Sequence, residues 1–262
     1  MTAIPELRDE HSRPTVTSTS KEDVQRFYDA YAPNWDRRFR ENRSSAHFHR
    51  RRVSAFLAAA ALGPDDVVLE LGCGTAPYLG ELPPIARYHG LDLSERMLDA
   101  ARRRSAALGL ADAATFSSGD AETLGAIPDA SVTVVCFFGL IEHLFDPAAL
   151  FRSCQRVLKP KGRIVGVCPN GWSLWYSVIS PLVRQGVKHL STDRYYTPRE
   201  VRRYLRDTGF TDIAFRYWGF VPPGDLPDSL YPLARAAEAV AERTPLNRLA
   251  GGMTFRAVKT ER

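Results

Sequence analysis

The chain contains no run of 18 uncharged apolar residues and no apolar stretch behind the charges of its opening MTAIPELRDEHSRPTVTSTSKED. Neither a membrane span nor an export signal is therefore expected, and a cytoplasmic setting is. Cysteine is scarce: Cys73, Cys136, Cys154 and Cys168 lie far apart, without a C-x-x-C or a paired histidine spacing. That argues against zinc and for reduced thiols. No internal repeat is present. Of the 262 residues, 44% are hydrophobic and 25% charged, which excludes a disordered, collagen-like or coiled-coil chain and leaves apolar material for one large core.

Charge is unevenly placed. The net charge is +5, yet residues 37–52 (RRFRENRSSAHFHRRR) hold seven arginines against Glu41, so the remainder sums to about −1. Nucleic-acid binders usually spread positive charge over a whole face, whereas one concentrated patch also suits a small anionic ligand or a membrane surface. A solvated helix face is the plainer alternative.

The patterning predicts a mobile polar tail over residues 1–20, then a helix on the spacing Val24, Phe27, Tyr28, Tyr31 that Pro33 ends. A second helix is expected over 46–62. Strands and helices then alternate: strands at 67–71, 88–93, 114–118 and 132–138, a helix from Ser94, another over 147–158, and a KPKG turn into a strand at 163–168. Continuous apolar strands separated by helices imply a parallel sheet covered on both faces. The alternation breaks over 169–197, read as a substrate lid, before Pro198 opens another helix that Gly209 ends. Two last strands are expected at 213–220 and 253–259, with a helix over about 233–243 between them.

The strongest local signal is VVLELGCGT (67–75), a hydrophobic strand running into a Gly-x-Gly turn. Glycine is needed where a backbone bends sharply and a ligand must approach it closely. The third glycine of a dinucleotide fingerprint is missing. Glu70 precedes the first glycine, and Asp92 ends the next strand twenty positions after Gly72, where a carboxylate can take both hydroxyls of a ribose.

Four segments in this order, ELGCGT (70–75), LDLS (91–94), GDAETL (119–124) and the stretch from LIEHLFDP to LKPKG (140–162), resemble the class I S-adenosylmethionine (SAM) methyltransferases. The likeness is nearest to ubiquinone-biosynthesis O-methyltransferases and related small-molecule enzymes, through Ile141-Glu142-His143, Asp146-Pro147, Asn170-Gly171-Trp172-Ser173 and Lys188-His189 ahead of Tyr196 and Pro198. The resemblance implies a Rossmann-like α/β fold with a mixed seven-stranded sheet and an antiparallel last strand. It also implies a helical cap over 21–62 and a methyltransferase domain over 63–262. Gly72, Cys73 and Gly74 would line the methionine moiety behind Glu70, Asp92 would hold the ribose, and Leu93 and Met97 would pack on the adenine. Asp120 and Ala121 would meet the adenine edge, and Glu122 and Phe138 are further cofactor-binding candidates. Arg52, twenty positions before Gly72, would pair with the SAM carboxylate. In the family a metal-linked acid stands three positions before the Glu of the Glu-His pair; Gly139 replaces it, so no metal is expected.

His143 follows the fourth strand, where an imidazole suits a general base for a hydroxyl acceptor; alternatively Glu142 and His143 only shape the turn. His47, His49 and His189 are further candidate bases. Tyr28, Tyr31 and Trp35 form an aromatic stripe that either packs the core or shields a sulfonium, with Tyr28 assigned to cofactor and Trp35 to acceptor. Trp172, Trp175 and Tyr176 open a twelve-residue uncharged segment (172–183) suited to an acceptor pocket wall or to interfacial membrane contact; Tyr196 is the remaining acceptor candidate. The resulting expectation is O-methylation of a small, partly apolar, quinone-like or natural-product acceptor in secondary metabolism, with SAM as donor and S-adenosylhomocysteine (SAH) as product. The rivals are a nucleic-acid methyltransferase using the basic segment and a non-catalytic SAM-binding regulator.

Overall fold

The computed structural model describes residues 20–39, 42–173, 175–176, 194–221, 226 and 228–261. The expected tail, apart from Ser20, and residues 174 and 177–193 of the expected lid lie outside the described residues.

Local sequence explains most element ends. Helix α1 (Lys21–Tyr31) begins at a capping box in which Ser20 and Asp23 bond each other's backbone N–H, both at 3.2 Å. Pro33 does not stop the chain's winding, as expected, but lies in a 3₁₀ turn over Ala32–Phe39. A proline near the start of a helical segment lacks only an N–H that would have no intrahelical partner there. Helix α2 (Arg43–Ala60) starts three residues earlier than expected, because Asn42 accepts the N–H of Ser45 at 2.8 Å. Then follow β1 (Val67–Leu71), β2 (Arg87–Asp92), α3 (Glu95–Ala107), β3 (Ala114–Ser118), β4 (Val132–Phe138), α4 (Pro147–Val157) and β5 (Leu158–Pro169). The last elements are α5 (Pro198–Asp207), β6 (Phe210–Trp218), α6 (Tyr231–Ala241) and β7 (Gly252–Lys259).

The fifth strand differs from the expected helix, turn and strand. Pairing starts at Leu158 opposite Val132 and resumes at Arg163 opposite Val134, so residues 159–162 bulge out with Lys161 at φ +62°.

The seven strands run in the order β3-β2-β1-β4-β5-β7-β6, with β7 antiparallel to both neighbours, as expected for the mixed sheet. Alternate residues feed two cores, one on each face. Leu69, Leu71, Val135 and Phe137 join Phe151 and Phe255 on one side. Val68, Val134, Cys136 and Val165 join Phe56 and Tyr88 on the other. Strand order reverses between β1 and β4, so the connections leaving their C-terminal ends diverge and open a crevice there.

Candidate functional site

That crevice is an open cleft, lined by Tyr28, Gly72, Asp92, Met97, Phe138 and His143 among others, at the place where open α/β sheets bind their ligands. The ends of three neighbouring strands supply its floor. After β1, Gly72 and Gly74 turn with φ of +61° and +53°. A side chain at Gly72 would meet Leu140 at 2.9 Å, and one at Gly74 would point toward the Trp35 indole nitrogen, 3.5 Å away. Both positions therefore need glycine for conformation, and both leave backbone bare to the cleft.

At the end of β2, one Asp92 carboxylate oxygen accepts the Gly74 N–H at 2.8 Å and the other the Ser94 N–H at 2.9 Å. Burial raises its pKa above the usual aspartate range although these N–H groups oppose the shift. Each oxygen keeps acceptor capacity for a further donor. Leu91, Leu93 and Met97 give the cleft its apolar flank.

The loop after β3 brings Asp120, Ala121 and Glu122 to the rim. Asp120 accepts the Glu122 N–H at 2.9 Å, and Glu122 accepts the N–H groups of Phe145 and Asp146 at 2.8 and 3.0 Å. Glu122 thereby ties the loop after β4 to the loop after β3. Lys21 stands over both carboxylates, 2.5 Å from Asp120 and 2.6 Å from Glu122. Burial works against its ammonium, yet the two carboxylates hold its pKa above the usual lysine range.

The opposite wall is aromatic. Tyr28 lies edge-on to Trp35 at 5.7 Å and to the His143 ring at 6.2 Å, and all three line the cleft with Phe138. His143 ends a short 3₁₀ turn (Ile141–His143) after β4, so its imidazole faces the cleft beside the glycine loop.

Other residues singled out from sequence lie elsewhere. Glu70 turns away from the cleft: it is 3% exposed and accepts the Tyr88 hydroxyl at 2.8 Å. Burial pushes its carboxyl up to about 7, against the pull of Tyr88 and Arg52. The Cys73 thiol points to Gly90, and burial drives its pKa up, so it is no ready thiolate. The Arg52 guanidinium lies behind Gly139, over the Phe138 ring at 5.7 Å. Its Nη2 is 2.5 Å from where a Gly139 side chain would begin, and Gly139 has φ +68°. Arginine thus occupies the space an acidic side chain at 139 would need. Among the described residues, no three His, Cys, Asp or Glu side chains gather as a metal site.

The acceptor candidates are dispersed. Tyr196 is 4% exposed within the core, and burial pushes its phenol up to about 12. Trp172 lies under Arg199 at 5.6 Å, and Tyr176 packs on Tyr195 at 4.8 Å. Neither these side chains nor Trp175 line the cleft. The basic segment also divides. His47 and Arg51 meet the buried Glu238 at 3.0 and 3.5 Å, Arg51 also pairs with Glu242, and Arg43 covers Tyr231 at 5.0 Å. His49 bonds the Tyr78 hydroxyl at 2.9 Å. Residues 40 and 41, His189 and the Arg38 side chain lie outside what is described. Sequence reasoning missed Lys21, Leu140, Leu144 and Phe145 as cleft residues: Lys21 lies in no motif, and the other three stand in the LIEHLFDP segment, whose side-chain directions depend on how the loop after β4 folds back.

Residues 69–166 match the family described as "Methyltransferase domain". The chain is 36% identical over 88 residues to a probable S-adenosylmethionine-dependent methyltransferase of Mycobacterium tuberculosis, covering 34% of this chain and 30% of that protein. It is 26% identical over 219 residues to the demethylmenaquinone methyltransferase of Lactiplantibacillus plantarum, covering 75% and 91%. A Thermotoga maritima SAM-dependent methyltransferase, a possible histamine N-methyltransferase, superposes with a TM-score of 0.65 at 19% identity over 90% of this chain and 100% of that one. The chain spans half or less of the length of the curated relatives it matches at 32–36% identity.

Proposed function

Starting from residues 69–166 as a class I SAM-dependent methyltransferase domain, we propose that this protein transfers a methyl group from SAM to the oxygen of a small, partly apolar acceptor of quinone-like or natural-product type. The observation that carries this reading is the convergence on one cleft of the bare Gly72–Gly74 backbone, the Asp92 carboxylate, the apolar Leu93 and Met97, and the aromatic wall with His143. The cleft fits SAM in kind. Asp92 offers two acceptor oxygens to a ribose, Leu93 and Met97 offer an apolar face to adenine, Asp120 offers its edge a carboxylate, and Tyr28 and Trp35 offer ring faces to a sulfonium. Arg52, beside Gly139, would meet the SAM carboxylate across the space that the missing side chain leaves open.

When bound, SAM supplies an electrophilic methyl carbon. The acceptor oxygen forms the new C–O bond as the C–S bond breaks, and the electron pair stays on sulfur in SAH. His143 takes the hydroxyl proton, which makes the oxygen a better nucleophile. Tyr28, Trp35 and Phe138 restrict the acceptor's approach, and holding it in line supplies most of the acceleration. The demethylmenaquinone relative favours a ring-bearing acceptor. The contacts of Arg51 with Glu238 and Glu242, of Arg43 with Tyr231 and of Arg52 beside Gly139 take three of the segment's seven arginines away from phosphates, which speaks against a nucleic-acid arm.

Incubation with isotope-labelled SAM and a panel of hydroquinones, phenols and metabolite extract, read by mass spectrometry, tests the reading. Label on a hydroxyl of a small molecule supports it. Label on RNA or DNA, with salt-steep binding, overturns the acceptor class. Tight SAM binding without transfer to any extract component favours the regulatory rival.

A further inference from the structure

The N-terminal cap, outside the recognised domain, sets one charged side chain on each of the three loops that floor the cleft. Lys21, the first residue of α1, bonds Asp120 and Glu122 after β3. Asp29, two turns on, accepts the Ser94 hydroxyl at 2.6 Å, and the Ser94 N–H is bound to Asp92 after β2. Asp36, in the 3₁₀ turn, accepts the Thr75 hydroxyl at 2.6 Å beside the glycine loop after β1. Arg104 completes that contact, pairing with Asp36 and donating to the Thr75 carbonyl at 2.6 Å. Between these anchors, Val24, Tyr28 and Trp35 supply the cap's part of the cleft lining.

The hold is therefore polar at the edges and apolar over the ligand space. Val24 is the one buried side chain of α1, so the helix is not locked by a core of its own. The Lys21 and Asp36 side chains stay 35% and 48% exposed, so water replaces their partners readily when they separate.

We propose that Lys21, Asp29 and Asp36 form a three-point clasp that retains SAM and SAH, and that cofactor exchange requires these contacts to release. The proposal rests on the cofactor reading above. It assigns these side chains to retention and positioning; contact with the reacting atoms falls to the residues below them. Breaking the clasp opens the roof in both directions, so entry and exit both accelerate. A residue that only added binding contact would change exit alone.

The test is stopped-flow binding of SAH to the full chain, read by tryptophan fluorescence because Trp35 borders the glycine loop. Lys21→Met, Asp29→Asn and Asp36→Asn are compared singly and together, with Lys21→Arg as the conservative rescue. The expected result is a rise of about tenfold or more in both association and dissociation rates for the triple variant. Single variants should show smaller rises of the same kind, and Kd should change less than either rate. SAH should slow amide exchange over residues 21–39 in the wild type and not in the triple variant. Unchanged rates in folded single variants overturn the clasp, as does a rise confined to dissociation and matched by Kd. Failure of the wild type to bind SAH overturns the cofactor reading itself, so the two failures are distinct.

Discussion

Glu70 offers a test that needs no acceptor. Its carboxyl is wholly enclosed, accepts the Tyr88 hydroxyl at 2.8 Å, and is pushed from 4.5 up to about 7 by burial. The folded protein then holds this proton more tightly than the unfolded chain does. Between pH 4.5 and 7 the folded state carries the extra proton, so stability falls as pH rises through this window. The penalty is absent below the unfolded value and complete above the folded one. A separation of about 2.5 units corresponds to about 3 kcal/mol. Glu70→Gln mimics the neutral acid, and the Tyr88 hydroxyl can still donate to the amide oxygen. Ligand-free wild type and variant, unfolded by urea at pH 5 and pH 8, should therefore differ little at pH 5. At pH 8 the variant should be more stable by up to about 3 kcal/mol, several degrees in Tm for a chain of this size. Parallel stability profiles across this range would refute the reasoning, because they would mean that Glu70 is ionised in the fold at low cost.

Asp92→Asn should weaken SAH binding about 100-fold by calorimetry. It removes a charged acceptor worth about 3 kcal/mol over two ribose hydroxyls and sets an amide against one of the N–H groups of Gly74 and Ser94; unchanged affinity in a folded variant would contradict the placement of the ribose. His143→Ala should lower the single-turnover rate by about 100-fold on a neutral hydroxyl acceptor and remove a limb of its pH profile, with SAH affinity nearly constant. A rate within a few-fold of wild type would leave positioning as the source of catalysis. Gly166→Ala should destabilise the protein by about 1–3 kcal/mol in urea titration, since the new methyl would enter the rings of Phe255 and Phe137, both fully buried.

The alternating strand and helix pattern, the glycine turn at 72–74 and the acid at the end of β2 were legible because each is a local requirement. A parallel strand buried on both faces must be apolar throughout, and a backbone bending with positive φ demands glycine. Strand residues 67–71 and 132–138 accordingly appear where the pattern puts them. Side-chain direction was beyond that reach. Glu70 and Cys73 sit in the motif itself, yet both turn away from the cleft, and Tyr196 enters the core. The basic segment read as one patch or a solvated helix face, whereas folding draws Arg43 to Tyr231 and Arg51 and His47 to Glu238 on α6, with Glu242 just past its end also taking Arg51, about 190 residues later. Lys21, Asp29 and Asp36 carried no sequence signal, since their partners Asp120, Ser94 and Thr75 are 99, 65 and 39 positions away. Periodicity and turn chemistry act over a few residues and so determine elements and the glycine loop. Which charges meet depends on contacts closed across the whole chain, and only the tertiary structure decides them.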